Sequence, residues 1–555
     1  MLMKHKNNLQ KFHDDAVKYI KTLIDDMDIW QRQIMFINCI KVIDKTYYDS
    51  VTVTDNVKGQ FYTDILHFAY PVLIEFLYTE EFEDLPAAAL APMTPETLKE
   101  CRIFLSACQL IGWSAYLLEL ERLNIVSVKN FINHSWIKFK YKYHKIEYLE
   151  SKYTDYYEKI IFDQLAEHPL YHETTQVRNE ILKRMESLCF VWLEHYMGYN
   201  GDPDVEYYFH DLAYIDAIHD SEWDMYPDNA QFADVQYGDF VEAIVDFSGY
   251  AIKHIYFAGI LQKQHPELMS ENLCYLINTR DDLLKLIMEN RSLSNEQAKT
   301  ILASISLGAH NKGIFTNKQV SCAPLIKISQ YQYIHSSAGS LYRPFSFMLE
   351  NITNLFPEDC RKNRNSREKI FREQLYDMFK DEFRCIDHQI VLTDGNQKLT
   401  DIDAVIIDPK TGEIALFQLK WQDPTNTSPK SLFSKSRNYT EAAQKWIDTV
   451  NHWLENCTDD EIAAKLGIKR KYIDKSKIYL FVLGRKHGNY SSNSVHTDNC
   501  VWVQWYHLLN YILRKRRSEL LISCMHEELK NESPYNIKIV MKPHKYKYGK
   551  YTFVM

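Results

Sequence analysis

At 555 residues the chain exceeds what one hydrophobic core organises, so about two to four domains are expected. A composition of 46% apolar and 25% charged residues is that of a folded globular protein, and no run approaches the ~18 to 20 apolar residues of a membrane helix. The formal net charge of -9 gives no general affinity for nucleic acid or anionic lipid, so either partner would require a local basic surface. Only 16 Gly and 16 Pro occur alongside 38 Tyr, which favours long helices over extended linkers. The opening MLMKHKNNLQKFHDDAV has no apolar stretch before a small-residue cleavage site, so a cytoplasmic location is expected. The 11 cysteines include no Cys-x-x-Cys pair, which argues against a zinc knuckle or disulfide framework.

Residues 1–345 read as mainly helical, because apolar residues recur every three or four positions in segments such as 64–78, 97–123 and 180–196. Ser294 and Gln297 form a capping-box signal ahead of AKTILASISL. At 137–143, IKFKYKY alternates Lys138, Lys140 and Lys142 with apolar and aromatic residues, the pattern of a strand with one basic face. HKYKYGKYTF near the C-terminus repeats the texture. Either segment can track a nucleic-acid backbone, or serve as an edge strand whose lysines deter aggregation. Residues 185–252 hold 15 acidic residues and no Lys or Arg, which reads as a solvated acidic surface in a second subdomain of this region, ahead of a metal site at His210, Asp211 and His219. This whole first region is assigned a sensor or protein-interaction role.

The polar, basic stretch RKNRNS at 361–366 marks a linker over 346–365, followed by a second domain over 366–555. There the order is helix 367–383, strand 384–392, turn, strand 399–407, turn, strand 413–421, helix 436–455, strand 478–484 and strand 500–505. The fold class is therefore α+β and multidomain, with an α/β C-terminal domain built on a mixed central sheet flanked by helices.

Two strands of that domain carry polar residues where a buried strand should be apolar. In TDIDAVIID, Asp401 and Asp403 share one face, and in EIALFQLKW, Gln418 and Lys420 do the same. A hairpin through DPKTG lays these strands side by side, so Asp403, Gln418 and Lys420 converge at one sheet end. Oxygen ligands suit Mg²⁺ or Mn²⁺, and a lysine can orient water or stabilise a developing oxyanion; together they suit metal-assisted phosphodiester cleavage.

With these residues in this order the chain resembles the PD-(D/E)XK, or restriction-endonuclease-like, nuclease superfamily, in the Q-x-K form of Mrr-like nucleases. The resemblance covers residues 365–510 and leaves 1–345 unaccounted for. It implies that Asp403 is the principal metal ligand, that Gln418 replaces the usual second acidic ligand, and that Lys420 is the catalytic lysine. It also implies a supporting helix glutamate. Glu368 shares a stripe with Phe371, Leu375 and Phe379, whereas Glu373 lies roughly 140° away, so Glu368 is preferred. Asp401 and Gln444 are secondary candidates, and Lys430, Lys435 and Arg437 border a helix start suited to holding phosphate.

The expected function is a metal-dependent DNA endonuclease, acting in prokaryotic restriction or anti-phage defence. The alternative is a nuclease-like fold kept for DNA binding or protein assembly and regulated by the helical region, with Gln418 marking a degenerate site. Cutting both strands of a duplex usually takes two sites, which makes a homodimer, or a partner protein held by the N-terminal region, the expected assembly. The segment TDDEIAAKLGIKRKY at 458–472 mimics the start of a helix-turn-helix, but the strand pattern after it makes it a connector. Arg514, Lys515, Arg516 and Arg517 end a helix and offer a further phosphate contact.

Overall fold

Three long helices form the base of the N-terminal region: α1 (Asn8–Ile24), α2 (Ile29–Thr52) and α3 (Pro95–Arg122). The structure, a computed structural model, describes residues 8–52, 65–131, 134–139, 155–163, 165–166, 175–220, 222–315, 321–395, 397–423, 429–487, 500–515, 520–532 and 545–554. Helix α3 starts where the Thr94 hydroxyl accepts from the Thr97 amide and Pro95 presets the first turn. It is the one helix among the described residues long and apolar enough to cross a membrane. Its Cys101, Phe104, Leu105, Cys108 and Ile111 are nevertheless buried against α2 and the 65–76 segment. A Cβ at Gly112 would sit 2.2 Å from the Phe68 carbonyl oxygen, so that close crossing depends on glycine.

A hairpin of β1 (Val126–Asn130) and β2 (His134–Phe139) follows, one strand where IKFKYKY is expected; residues 140–143 lie outside the described residues. The acidic segment then folds largely into α4 (Pro203–His219) and α5 (Tyr237–Gln264). Beyond it a four-stranded sheet of order β3-β6-β5-β4 joins β3 (Leu276–Thr279), β4 (Ser306–Leu307), β5 (Leu325–Lys327) and β6 (Gln332–His335). The N-terminal region is therefore less purely helical than its periodicity implies, because strands of two to four residues are too short to show alternation.

An expected domain boundary is corrected. The linker over 346–365 is helical: α6 (Pro344–Leu355) is followed at once by α7 (Pro357–Phe379), which contains all of RKNRNS. Pro357 starts the helix and buried Cys360 anchors it to the core that holds Phe345 and Met348.

The second sheet begins with β7 (Arg384–Cys385), leaves for a separate hairpin of β8 (Ile390–Asp394) and β9 (Gln397–Ile402), and returns as β10 (Ala404–Ile407) and β11 (Ile414–Lys420). Helix α8 (Pro429–Asn456), connector α9 (Asp459–Leu466), β12 (Ile478–Gly484), β13 (Cys500–Gln504), α10 (Trp505–Arg514) and α11 (Ile522–Asn531) complete it. The order is β7-β10-β11-β12-β13, antiparallel up to β11 and parallel beyond it. Phe417, Leu419 and Phe481 pack with Phe371, Leu375 and Phe379 of α7 and with α10 and α11. Val405, Leu416 and Val482 on the opposite face pack with Ala443, Trp446 and Ile447 of α8. The whole is an α+β molecule with mixed multi-stranded sheets.

Finally, β14 (Lys545–Tyr548) and β15 (Tyr551–Val554) form a hairpin whose β15 pairs in parallel with β2, giving a sheet of order β1-β2-β15-β14. The chain's last strands thus belong with the N-terminal region and not with the domain expected over 366–555. Phe553 is buried with Leu9, Phe12, Leu117 and Ile137.

Candidate active site

Asp403 stands where the chain passes from the β8–β9 hairpin into the five-stranded sheet, between β9 and β10. Its N–H donates to the Phe417 carbonyl at 3.0 Å, and the register Ala404↔Phe417 continues to set Asp403 opposite Gln418. Alternation along both strands puts Asp403, Gln418 and Lys420 on the face of Val405 and Leu416, the α8 side. Asp403 and Gln418 are 2% and 5% exposed, and Lys420 at the strand end is half-buried.

Among the described residues, the Asp403 carboxylate accepts from neutral donors only. Gln389 Nε2 reaches Oδ1 at 2.8 Å, the Leu419 N–H reaches Oδ2 at 2.8 Å, and the Gln418 amide also donates to Oδ2. Burial raises its pKa above the ordinary carboxylate value, against the pull of Lys420, the Leu419 N–H and Gln389. Arg372 donates to the Asp403 main-chain carbonyl at 3.2 Å.

Glu368 lies on α7, whose apolar residues pack on the Phe417 and Leu419 face of the sheet, and its carboxylate is coupled to the cluster through the charges of Asp403, Lys420 and Asp401. Its side chain is exposed to solvent, yet the protein around it raises its pKa through desolvation first and the charge of Asp403 second, with Lys420 and Arg372 opposing. Neither an ion-pair nor a hydrogen-bond partner holds the Glu368 carboxylate among the described residues. Lys420 Nζ is likewise free of any carboxylate within ion-pair distance among the described residues. Two carboxylates, an amide and an ammonium therefore share one electrostatic environment.

The other candidates divide. Asp401 is close enough to influence both Asp403 and Glu368, and Lys398 holds it at 2.6 Å while Trp446 Nε1 donates to its main-chain carbonyl at 2.6 Å. Glu373 is exposed and lies 3.8 Å from Lys369 along its own helix. Gln444 on α8 donates to Asp448 at 2.9 Å, and its Oε1 is buried with no hydrogen-bond partner among the described residues. Arg437 pairs with Glu441 at 3.6 Å, Lys435 is half-buried, and Lys430 lines a separate cavity of about 800 Å³ with His13, Lys21 and Arg122. A larger groove, about 1070 Å³, runs between α1, α3 and the C-terminal hairpin and shares no lining residue with the Asp403 cluster.

Gln389, Arg372 and Trp446 escape sequence reasoning, since nothing in their spacing links them to Asp403 or Asp401 before the strands pair. The acidic segment requires a correction as well. Several of its charges are internal ion-pair partners, not a solvated surface: Asp224 meets Arg485 at 2.5 Å and Lys486 at 2.9 Å, Glu222 meets Arg343 at 2.9 Å, and Asp246 pairs with Arg291. Their cations come from outside the segment, so composition alone hides them. His210 lies 3.3 Å from Asp246, and no group of three or more His, Cys, Asp or Glu is placed to hold a metal among the described residues. The 458–472 segment is the connector expected, with the Thr458–Glu461 capping box and a left-handed C-cap at Gly467. Arg514 ends α10 and Lys515 pairs with Glu528 at 3.0 Å, while Arg516 and Arg517 lie outside the described residues.

Comparison with known protein families, characterised proteins and solved structures yields no match for this chain.

Proposed function

We propose that the domain from α7 to α11 is a PD-(D/E)XK-like nuclease that hydrolyses DNA phosphodiester bonds with Mg²⁺ or Mn²⁺. The observation that carries this reading is the convergence of buried Asp403 and Gln418 with half-buried Lys420 on one sheet face, electrostatically coupled to the Glu368 carboxylate, which has no ion-pair or hydrogen-bond partner among the described residues. Two neighbouring carboxylates with raised pKa values are a donor set that a hard divalent ion would stabilise, and the Gln418 amide oxygen would extend it. Asp403, Gln418 and Glu368 would hold the ion, with Asp401 and Gln444 beyond them. When bound, such an ion lowers the pKa of a coordinated water and neutralises charge on the scissile phosphate. Lys420, free of a carboxylate partner, orients the attacking water or meets the charge that develops on the phosphate. Lys430, Lys435 and Arg437 contact the DNA backbone in this reading. By the resemblance, the setting is cytoplasmic restriction or anti-phage defence, in a dimer or with a partner bound to the N-terminal region.

A second reading has one observation in its favour. Gln389, Gln418 and Leu419 already satisfy Asp403 with neutral donors, the state of a site retained for nucleic-acid binding or assembly without chemistry. Incubation with supercoiled plasmid, linear duplex and single-stranded DNA, in Mg²⁺, Mn²⁺ or EDTA, separates the two. Cutting in either metal that EDTA abolishes supports the nuclease; binding without cutting under every condition supports the second reading.

A further inference from the structure

The sheet β1-β2-β15-β14 joins the two lysine-rich segments, which lie more than 400 residues apart in sequence, into one surface. Its inner face buries Val126, Ile137 and Phe553 against α1 and α3. The outer face follows from the register. Lys129 pairs with Trp136, Trp136 with Val554, and Val554 with Lys545, which sets these four residues in one row across all four strands. At about 4.8 Å per strand, the row spans roughly 14 Å. Neighbouring rows add Lys138 opposite Ser127 and Lys547 opposite Thr552. All four lysines are exposed, and Trp136 is 49% exposed.

None of the four lysines has a side-chain partner among the described residues, and the strands VSVKN, HSWIKF, KYKY and YTFV contain no acidic residue. In a chain of net charge -9 this is the local basic surface that a polyanion needs. Edge protection explains lysines on β1 and β14, the two edges of the sheet. It does not explain Lys138 and a half-exposed tryptophan on β2, a central strand.

We propose that this face binds single-stranded nucleic acid, with the lysines on the phosphates and a base stacked on Trp136. A sheet face that presents an aromatic ring among cations suits unpaired bases, whose ring faces are open; a duplex hides them. An anionic membrane offers the same charge, but one ring beside Thr552 and Val554 gives little apolar area to insert. The binding surface shares no residue with the proposed nuclease site.

The test uses the full chain carrying Asp403→Asn, so that bound strands stay intact, titrated with labelled oligo-dT, oligo-rU, a duplex and phosphatidylserine vesicles. The expected result is tighter binding to single strands than to duplex or vesicles, weakening as salt rises; the better of oligo-dT and oligo-rU identifies the natural strand. Lys138→Glu with Lys545→Glu should weaken it tenfold or more, and Trp136→Ala about fivefold or more, with unchanged circular dichroism. The milder pair Lys138→Gln with Lys545→Gln should flatten the salt dependence by about 0.7 per lysine on logarithmic axes. Unchanged affinity in these variants overturns the proposal, as does vesicle binding without oligonucleotide binding. Cleavage is read separately with native Asp403, so inactivity there leaves the binding result standing, and normal binding by the sheet variants leaves the nuclease reading standing.

Discussion

Asp403 combines burial with a carboxylate whose hydrogen-bond partners are all neutral, and that combination sets its expected behaviour. Its pKa and that of Glu368 are raised in the folded protein, so the fold binds their protons more tightly than the unfolded chain does. The stability these groups contribute is present below the unfolded value of about 4 and is lost as pH rises through the higher folded values. Once ionised, both groups oppose folding, and on the proposed reading a divalent ion held between them would offset that cost. Wild-type protein should therefore gain thermal stability on adding Mn²⁺, and lose that gain as pH falls toward the raised values. Asp403→Asn and Glu368→Gln should abolish the gain, whereas Glu373→Gln, paired with Lys369 on exposed helix surface, should keep it. Differential scanning fluorimetry reads this directly, and equal effects of Glu368→Gln and Glu373→Gln would contradict the assignment. Asp403, Gln418 and Lys420 are legible in the sequence because strand alternation places polar residues at positions that should be apolar. Gln389 and Arg372 are not, since their contacts with Asp403 form only when separate elements pack together.

Among the elements, the strand ends at the site depend on tight backbone approaches. Gly484 pairs with Lys420 at the end of β12, and a Cβ there would lie 1.8 Å from the His487 carbonyl oxygen and 2.6 Å from Gln422 Nε2. Gly484→Ala must displace the 485–487 turn, costing about 1 to 3 kcal/mol and shifting the strand end that carries Lys420. Urea denaturation should show that loss and cleavage assays a fall in rate; unchanged stability would mean that the turn yields freely. Long apolar runs such as Ile478–Gly484 are read from sequence to the residue, because a fully buried strand leaves an uninterrupted signature. The break at Asp403 is not legible, because TDIDAVIID keeps its alternation while the chain changes partner from β8 to β11. Helix α7 is likewise hidden at its start, since a polar surface run within a helix has the composition of a linker.

Across the molecule, Asp224 of the acidic segment acts as an internal counter-charge to Arg485 and Lys486 at the end of the second sheet's β12. Burial opposes ionisation of Asp224, but Lys486 and Arg485 outweigh it and hold the carboxyl well below its usual range. Its contribution is present above about pH 4, the unfolded value, and lost as pH falls through the depressed one. Arg485 is 5% exposed, stacked near Phe371, Trp421 and Trp505, and follows β12 directly, where its N–H donates to the Lys420 carbonyl. Asp224→Ala leaves two largely buried cations without this partner. It should destabilise the protein by about 3 kcal/mol, the lower end for a buried pair because Asp224 keeps 19% exposure. Chemical denaturation measures this, and a change below about 0.5 kcal/mol would show the pair to be no more than a surface contact. Composition gives the excess of acid in this segment but not the partners of Asp224, which lie more than 200 residues away. We propose that Asp403 and Lys420 perform metal-dependent phosphodiester cleavage. Its most direct measurement is the initial rate of DNA cutting in Mg²⁺ or Mn²⁺ for wild-type protein, Asp403→Asn and Lys420→Ala, each confirmed folded by circular dichroism. The expected result is wild-type cutting that EDTA stops and at least a hundredfold loss in both variants, on the order of 3 kcal/mol of transition-state stabilisation. Cutting at the wild-type rate by either variant, or none by the wild type in any metal, would contradict it.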